Sequence, residues 1–284
     1  MSAEATPGPD PLSHVIQHTL HAKPADLGVL TPNGEITVLS DQLTMMILAG
    51  VLLVALVPRW IRRRRGTDTV GAMVPVGPGN CIEAICAYLR DEVAKPVLLQ
   101  HTDRFIPYIW SAFFFVLTIN LLGLLPIAAV TAVFGTHLGG TATGNIWVTG
   151  TLALLTMVMM VANGLRIGGT AYLAHFCPGP IALAPLLIPV EIIGLIAKVF
   201  ALAVRLFANM IAGHILLAVL LSFILQAGAA LGAGGGLAIA VPVVLASVAI
   251  YMLEIFVAFL QAFIFTFLTA LFIGMSVNVH HDDQ

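Results

Sequence analysis

From Phe105 to Leu165 no residue carries a formal charge, and between Arg166 and Asp282 only Glu191, Lys198, Arg205 and Glu254 do. A water-covered globule needs about 25% charged residues, and runs this long leave none for its surface. The whole chain of 284 residues is 9% charged and 59% hydrophobic, with a mean hydropathy of +1.02. That excludes a soluble enzyme. The net charge of −2 argues against nucleic acid as the main partner, which demands a strongly basic face. Cys81, Cys86 and Cys177 lack the number and pairing of a disulfide framework or zinc site and read as small apolar residues. The expected fold class is an all-α polytopic membrane protein.

The first forty residues are polar, with Asp10, Lys23, Pro24, Asp26 and Glu35, and lack the basic start and apolar run of a cleavable secretory signal. Residues 1–41 therefore read as an external amino-terminal segment. The first transmembrane helix, 42–60, is followed at once by Arg62-Arg63-Arg64-Arg65. Basic residues beside a span mark the cytoplasmic side, which puts the amino terminus outside. Residues 61–104 form a cytoplasmic basic segment and an amphipathic helix, with Ile82, Ile85, Cys86, Leu89 and Val93 on one stripe. Asn80 and Glu83 have the spacing of a helix cap, Pro96 stands where the pattern stops, and such a helix lies along the membrane surface. Residues 105–166 make a transmembrane hairpin with spans near 106–130 and 146–164, joined by the uncharged, Gly/Thr-rich 136–145.

Residues 167–284 read as two long helices. Pro185 and Pro189 open one that runs to about Gln226, before the Gly-rich stretch 228–236; Pro242 opens the other, which ends near Val277. Each has about 36 residues, roughly 54 Å, against a hydrocarbon layer of about 30 Å. A single crossing inside that layer requires a lean of more than about 50°, where about 20° is usual. The expected architecture is about five membrane-crossing helices plus one amphipathic surface helix, the last two helices long, strongly tilted and antiparallel.

Arg205 sits in VFALAVRLFANMIAGH. A guanidinium near the bilayer centre costs at least about 2.5–3.5 kcal/mol and cannot lose its proton, so a bare structural role requires an internal salt bridge. Glu191 and Lys198 lie 14 and 7 residues earlier, beyond the three or four positions of contact. Ala201, Ala203, Ala208, Ala212 and Gly213 would let another backbone come close. Asn209 is one turn beyond Arg205, and His214 faces the other way. Glu254 and Gln261, seven apart, share a face of the last helix. In an antiparallel pair the residue numbers of neighbours keep a near-constant sum. Arg205 with Gln261 gives 466 and His214 with Glu254 gives 468, so one register levels both pairs. A histidine and a carboxylate that exchange a proton near neutral pH have the shape of a proton relay; a static buried pair is the plainer alternative. His14, His18 and His21 have helical metal-binding spacing but lack a completing acid or thiol, and no catalytic or phosphate-binding motif is present. No metal, cofactor or catalytic site is expected.

RLFANMIAGHI (205–215), LQAFIFTFLTALFIG (260–274), INLLGLLP (119–126) and TATGN (141–145) resemble the subunit a family of the rotary proton-translocating ATP synthase. The resemblance covers most of the chain from about Asp10. It implies a non-catalytic subunit of the inner-membrane sector, abutting a rotating ring of hairpin subunits that each carry a membrane carboxylate. Subunit b of the peripheral stalk and, indirectly, the catalytic head are the other implied partners. It also implies that Arg205 faces the ring, that Gln261 lies near it, and that Asn209 lies near the outer proton path. Many bacterial members carry an acid after the arginine and a histidine in the last helix; here His214 and Glu254 hold the exchanged types. Protons would pass through two offset half-channels, with Asn209, His214 and Glu254 lining the outer one, and the titratable pair favours H⁺ over Na⁺. A self-contained secondary transporter would need its own substrate site and usually an internal repeat, and a structural anchor would tolerate loss of Arg205, Glu254 and Gln261 together.

Overall fold

The computed structural model describes residues 19–24, 35–61, 77–125, 142–175 and 184–277. Five helices within them are long and apolar enough to cross a membrane: Gln42–Ile61, Pro78–Leu124, Ile146–Ile167, Ala184–Gly232 and Gly234–Val277. The chain is thus the all-α polytopic membrane protein that its charge-free runs imply. Such runs become helices because hydrocarbon offers no partner to backbone N–H and C=O groups, and a helix bonds them internally.

The amino-terminal segment adds one feature absent from the sequence reading. Strands β1 (Thr19–Pro24) and β2 (Glu35–Ser40) pair antiparallel, Thr19 opposite Ser40 and Pro24 opposite Glu35. The β-branched run Ile36-Thr37-Val38 suits a strand. His21 lies in β1, so the helical spacing of His14, His18 and His21 is not realised at its third member. His14 and His18 lie outside the described residues.

The Cα framework divides into two units, each described by itself. The first comprises Met1–Ile47, Ile119–Ile146 and Arg205–Phe259. In it the start of α1 (Asp41–Ile61) is tied down where Asn145 Nδ2 donates to Gln42 Oε1 at 2.6 Å. The second comprises Leu48–Thr118, Trp147–Val204 and Leu260–Gln284. It holds the amphipathic helix, which runs as α2 (Pro78–Tyr88), a π-helical segment Leu89–Ala94, and α3 (Lys95–Leu98). Ile82, Leu89 and Val93 are buried and Ile85 and Cys86 half-buried, as the stripe requires.

The ends of this helix differ from the expected ones. It begins at Pro78 after Gly77 (φ 74), so the cap position falls on a residue with no side chain, and Asn80 lies inside the first turn with its N–H donating to Gly77 O at 3.1 Å. It also passes through Pro96. The π-helical segment widens the bonding to Lys95 N–H→Arg90 O, which accommodates a proline that lacks an N–H and crowds the preceding turn. The chain then turns at Leu99 (φ 49) into α4 (Thr102–Leu124), where Thr102 Oγ1 donates to Leu99 O at 2.6 Å. Trp110 Nε1 donates to Cys86 O (3.0 Å), and Arg90 pairs with Asp103 (2.8 Å), binding the amphipathic helix to α4. Helix α5 (Ile146–His175) continues past Arg166 and bends at Gly169 (φ 53).

The last two helices are α6 (Ala184–Gly232) and α7 (Gly234–Val277), 49 and 44 residues long. The Gly-rich stretch stays helical except at Gly232 (φ 71, ψ −174), and Pro242 lies inside α7 instead of opening it. At about 1.5 Å per residue the pair are roughly 73 and 66 Å long, so a bilayer of about 30 Å constrains them more severely than the shorter expectation did. Their antiparallel register is visible within each unit. In the first, a Cβ on Gly236 would lie 3.0 Å from Gly228 Cα, and Gly213 abuts Glu254. In the second, Lys198 Nζ lies 5.7 Å from the Phe272 ring centroid. The corresponding residue sums, 464, 467 and 470, bracket the expected 466–468.

Gly232 occupies a backbone region open almost solely to glycine. Gly232→Ala is therefore expected to destabilise the chain by about 1–3 kcal/mol, measured as a lower unfolding midpoint in detergent, whereas Gly228→Ala, in open helical space, should leave the midpoint unchanged or raise it.

Candidate functional site

Helix α6 buries Leu202, Ala203, Leu206 and Met210 and exposes Ala201, Arg205, Ala208, Ala212 and Leu216. The 3.6-residue period thus places Arg205 on a face that the chain itself leaves uncovered, among alanines short enough for close approach. Among the described residues the guanidinium has no hydrogen bond or ion pair; the ion pair they contain is Arg90–Asp103. The internal salt bridge demanded by a purely structural role is not made there. Asn209, one turn on, is half-buried.

Glu254 reaches α6 where Gly213 makes room. A Cβ at Gly213 would overlap Glu254 Oε1 and lie 2.8 Å from the carboxyl carbon. Sequence spacing marked Gly213 as a point of close approach, and the group that approaches is the carboxylate itself. Glu254 Oε2 is buried without a hydrogen-bond partner. His214 follows Gly213 on α6, and its side chain lies outside the described placements. Gln261, in the second unit, is 4% exposed and its Nε2 has no partner.

Sequence reasoning missed further polar groups in the first unit. Ser247, Tyr251 and Glu254, at spacings of four and three, share a face of α7. The Tyr251 hydroxyl donates to Leu124 O at the end of α4. One turn earlier on α4, Asn120 is fully buried with both amide atoms unpartnered, and Ser247 Oγ and Thr143 Oγ1 are buried and unpartnered as well. A neutral amide has several bonds to make, and each buried group left unsatisfied costs about 1–3 kcal/mol. The signal for Asn120 was an amide inside the apolar run INLLGLLP; Ser247 carried none.

The register makes a direct check possible. Cysteines at Gly213→Cys and Glu254→Cys should cross-link on mild oxidation in membranes, because a Cβ at 213 lies 3.2 Å from Glu254 Cγ. The pair Gly213→Cys with Ile250→Cys, one turn away, should not.

Comparison with known proteins follows the same lines. The pattern of the family described as ATP synthase A chain matches residues 43–274. ATP synthase subunit a of Anaeromyxobacter dehalogenans is 44% identical over 251 residues, covering 86% of this chain and 59% of the relative. That of Myxococcus xanthus is 42% identical over 246 residues, covering 84% and 74%. ATP synthase subunit a 2 of Prosthecochloris aestuarii is 39% identical over 293 residues, covering 97% and 82%. The chain spans about six tenths of the length of the Anaeromyxobacter relative. It belongs to the ATP synthase A chain family.

Proposed function

We propose that this chain is the proton-conducting stator of a rotary ATP synthase membrane sector, facing a ring of hairpin subunits that each carry a membrane carboxylate. The observation that carries the reading is Arg205, a permanent cation on an uncovered, alanine-lined helix face with no ion pair among the described residues. A charge so placed needs an anion, and a passing ring carboxylate supplies one transiently where a fixed acid would hold it permanently.

In the mechanism, protons enter from outside through a hydrated half-channel lined by Asn209, His214 and Glu254, with Asn120 and Ser247 adding water-binding groups. They pass to a ring carboxylate, which once neutral enters lipid at a cost that its anion could not meet. After nearly a full turn the carboxylate loses its proton to the inner half-channel, for which the buried, unpartnered Gln261 Nε2, Thr266 Oγ1 and Thr269 Oγ1 are the candidate lining. Arg205 stabilises the ionised carboxylate and blocks a direct leak between the half-channels. The register of α6 and α7 supports setting Arg205 level with Gln261. Each proton delivers about 2.3 kcal/mol per 100 mV, and rotation carries it to the catalytic head, so this chain makes no ATP itself. The peripheral stalk subunit b holds it against the ring. The chain lies in the inner membrane with its amino terminus outside, since the arginine run 62–65 that follows α1 in the sequence marks the cytoplasmic side.

Arg205→Ala is expected to abolish proton-driven ATP synthesis in inverted vesicles while the detached head still hydrolyses ATP. Retained coupling overturns the assignment. Exchanging the pair, His214→Glu with Glu254→His, should conserve more proton conduction than either single change, because a relay needs one of each type in no fixed order.

A further inference from the structure

Within the first unit, helix α7 is fixed to two neighbours. Glu254 abuts α6 at Gly213, and one turn earlier the Tyr251 hydroxyl donates to Leu124 O, the last carbonyl of α4. The sequence accounts for that acceptor. Pro126 disfavours helical geometry in the residue before it, so α4 ends at Leu124 and its last carbonyls lack helical donors. Leu124 is buried, where an unpartnered carbonyl is costly. Phenylalanine at 251 would fill the same space, but only tyrosine carries the donor. The heights of the neighbouring groups agree as well. Successive membrane crossings alternate in direction, so α4 and α7, three crossings apart, run antiparallel. Tyr251 with Leu124 gives a residue sum of 375, and Glu254 with Asn120 gives 374. The bond between the helices thus sets the fully buried Asn120 amide level with the Glu254 carboxylate, and both groups hold unpartnered atoms.

We propose that Tyr251 is a positioning residue for Glu254, its hydroxyl holding the end of α4 so that the carboxyl stays against Gly213 at the level of Asn120. The inference rests on the proton-relay role proposed above for Glu254 and adds what keeps that relay in place. A second attachment is needed because Gly213 gives the carboxylate room but no side chain to hold it. Tyr251 and Glu254, three residues apart, lie on one face of α7, so fixing the first fixes the height and rotation of the second. The phenol itself is committed to a main-chain carbonyl, which has no proton to exchange. Tyr251 therefore acts through Glu254 and is not a member of the relay. The other charged or titratable residues on the helices that meet there are His214, next to Gly213 in the sequence of α6, and Arg205, eight residues before Gly213. Residues 119–124 of α4 include none.

Assembled synthase in inverted vesicles, whose interior corresponds to the outer side, gives two readouts. With the native cysteines replaced, Gly213→Cys and Glu254→Cys should form their disulfide about fivefold more slowly once Tyr251→Phe is added, the factor that one neutral hydrogen bond contributes. With Glu254 intact, ATP synthesis is followed against interior pH at constant total driving force. Tyr251→Phe should raise the interior proton concentration for half-maximal synthesis by about the same fivefold, because a site in its competent position for a fraction of the time binds in proportion to that fraction. The maximal rate and the dependence on pH at the other face should stay as they were. A purely structural tyrosine would lower the rate uniformly, and that result overturns the inference. Unchanged cross-linking also overturns it, whatever Arg205→Ala does to coupling. Slower cross-linking with an unchanged proton dependence rejects the relay role of Glu254, and the effect drawn for Tyr251 falls with it. Tyr251→Cys with Leu124→Cys is the second variant should Tyr251→Phe assemble poorly. Joining the two thiols with a short bifunctional reagent should restore the parent proton dependence, and a joined pair that leaves it unrestored overturns the inference.

Discussion

A guanidinium in hydrocarbon has no chemical escape. Arginine keeps its charge in proteins, so its insertion cost of at least about 2.5–3.5 kcal/mol must be offset by what surrounds it. Lys198 of the same helix shows what offsetting looks like, lying over the Phe272 ring, where the π face is attractive to a cation. Arg205 has no such arrangement among the described residues and stands on the uncovered face of α6. The small residues around it keep that face shallow, so a neighbouring helix can bring an acid to the guanidinium and take it away again. The proposed motor needs such a face, because a stationary partner inside this chain would compete with every arriving carboxylate.

The hairpin of α6 and α7 serves the same requirement through its register. One glycine, Gly232, makes the break, and the two helices return along each other with residue sums of 464 near the turn, 467 at Gly213–Glu254 and 470 at Lys198–Phe272. A slip of a single residue would rotate α7 by about 100° and carry Glu254 off Gly213. The absence of a Cβ at Gly213 therefore fixes the height of the carboxylate as well as its proximity to α6.

Much of this was legible because hydrophobic runs and charge positions act locally. The charge-free segments became helices, the stripe Ile82–Val93 turned inward, and the near-constant sum of residue numbers located the register from four polar side chains alone. The misses at glycine and proline share a cause as well. Glycine and proline were read with their habits in water, where the stretch 228–236 would break a helix and Pro242 or Pro96 would begin or end one. In an apolar setting an unbonded backbone group costs more than a helical glycine, so all but Gly232 stay helical. At Pro96 a π-helical segment takes up the mismatch. Pairing of β1 with β2 joins residues on either side of a connection, which helical spacing of histidines cannot register. Asn120 and Ser247 were passed over because a lone amide or hydroxyl in an apolar run carries no period.

Those overlooked groups bear most directly on mechanism. Asn120, Thr143, Ser247 and Glu254 in the first unit, and Gln261, Thr266 and Thr269 in the second, present buried atoms with no hydrogen-bond partner. At about 1–3 kcal/mol each, these atoms together would rival the 5–15 kcal/mol by which a folded chain is typically stable. A protein that folds must satisfy them, through buried water, which bonds about three polar groups apiece, or through polar groups of a partner. Buried polar groups that water could bond occur in each unit, and the proposed mechanism of two half-channels requires two wet regions divided by a barrier that protons cannot pass. A guanidinium cation is suited to that barrier, since it repels a hydronium and has no lone pair free to accept its proton.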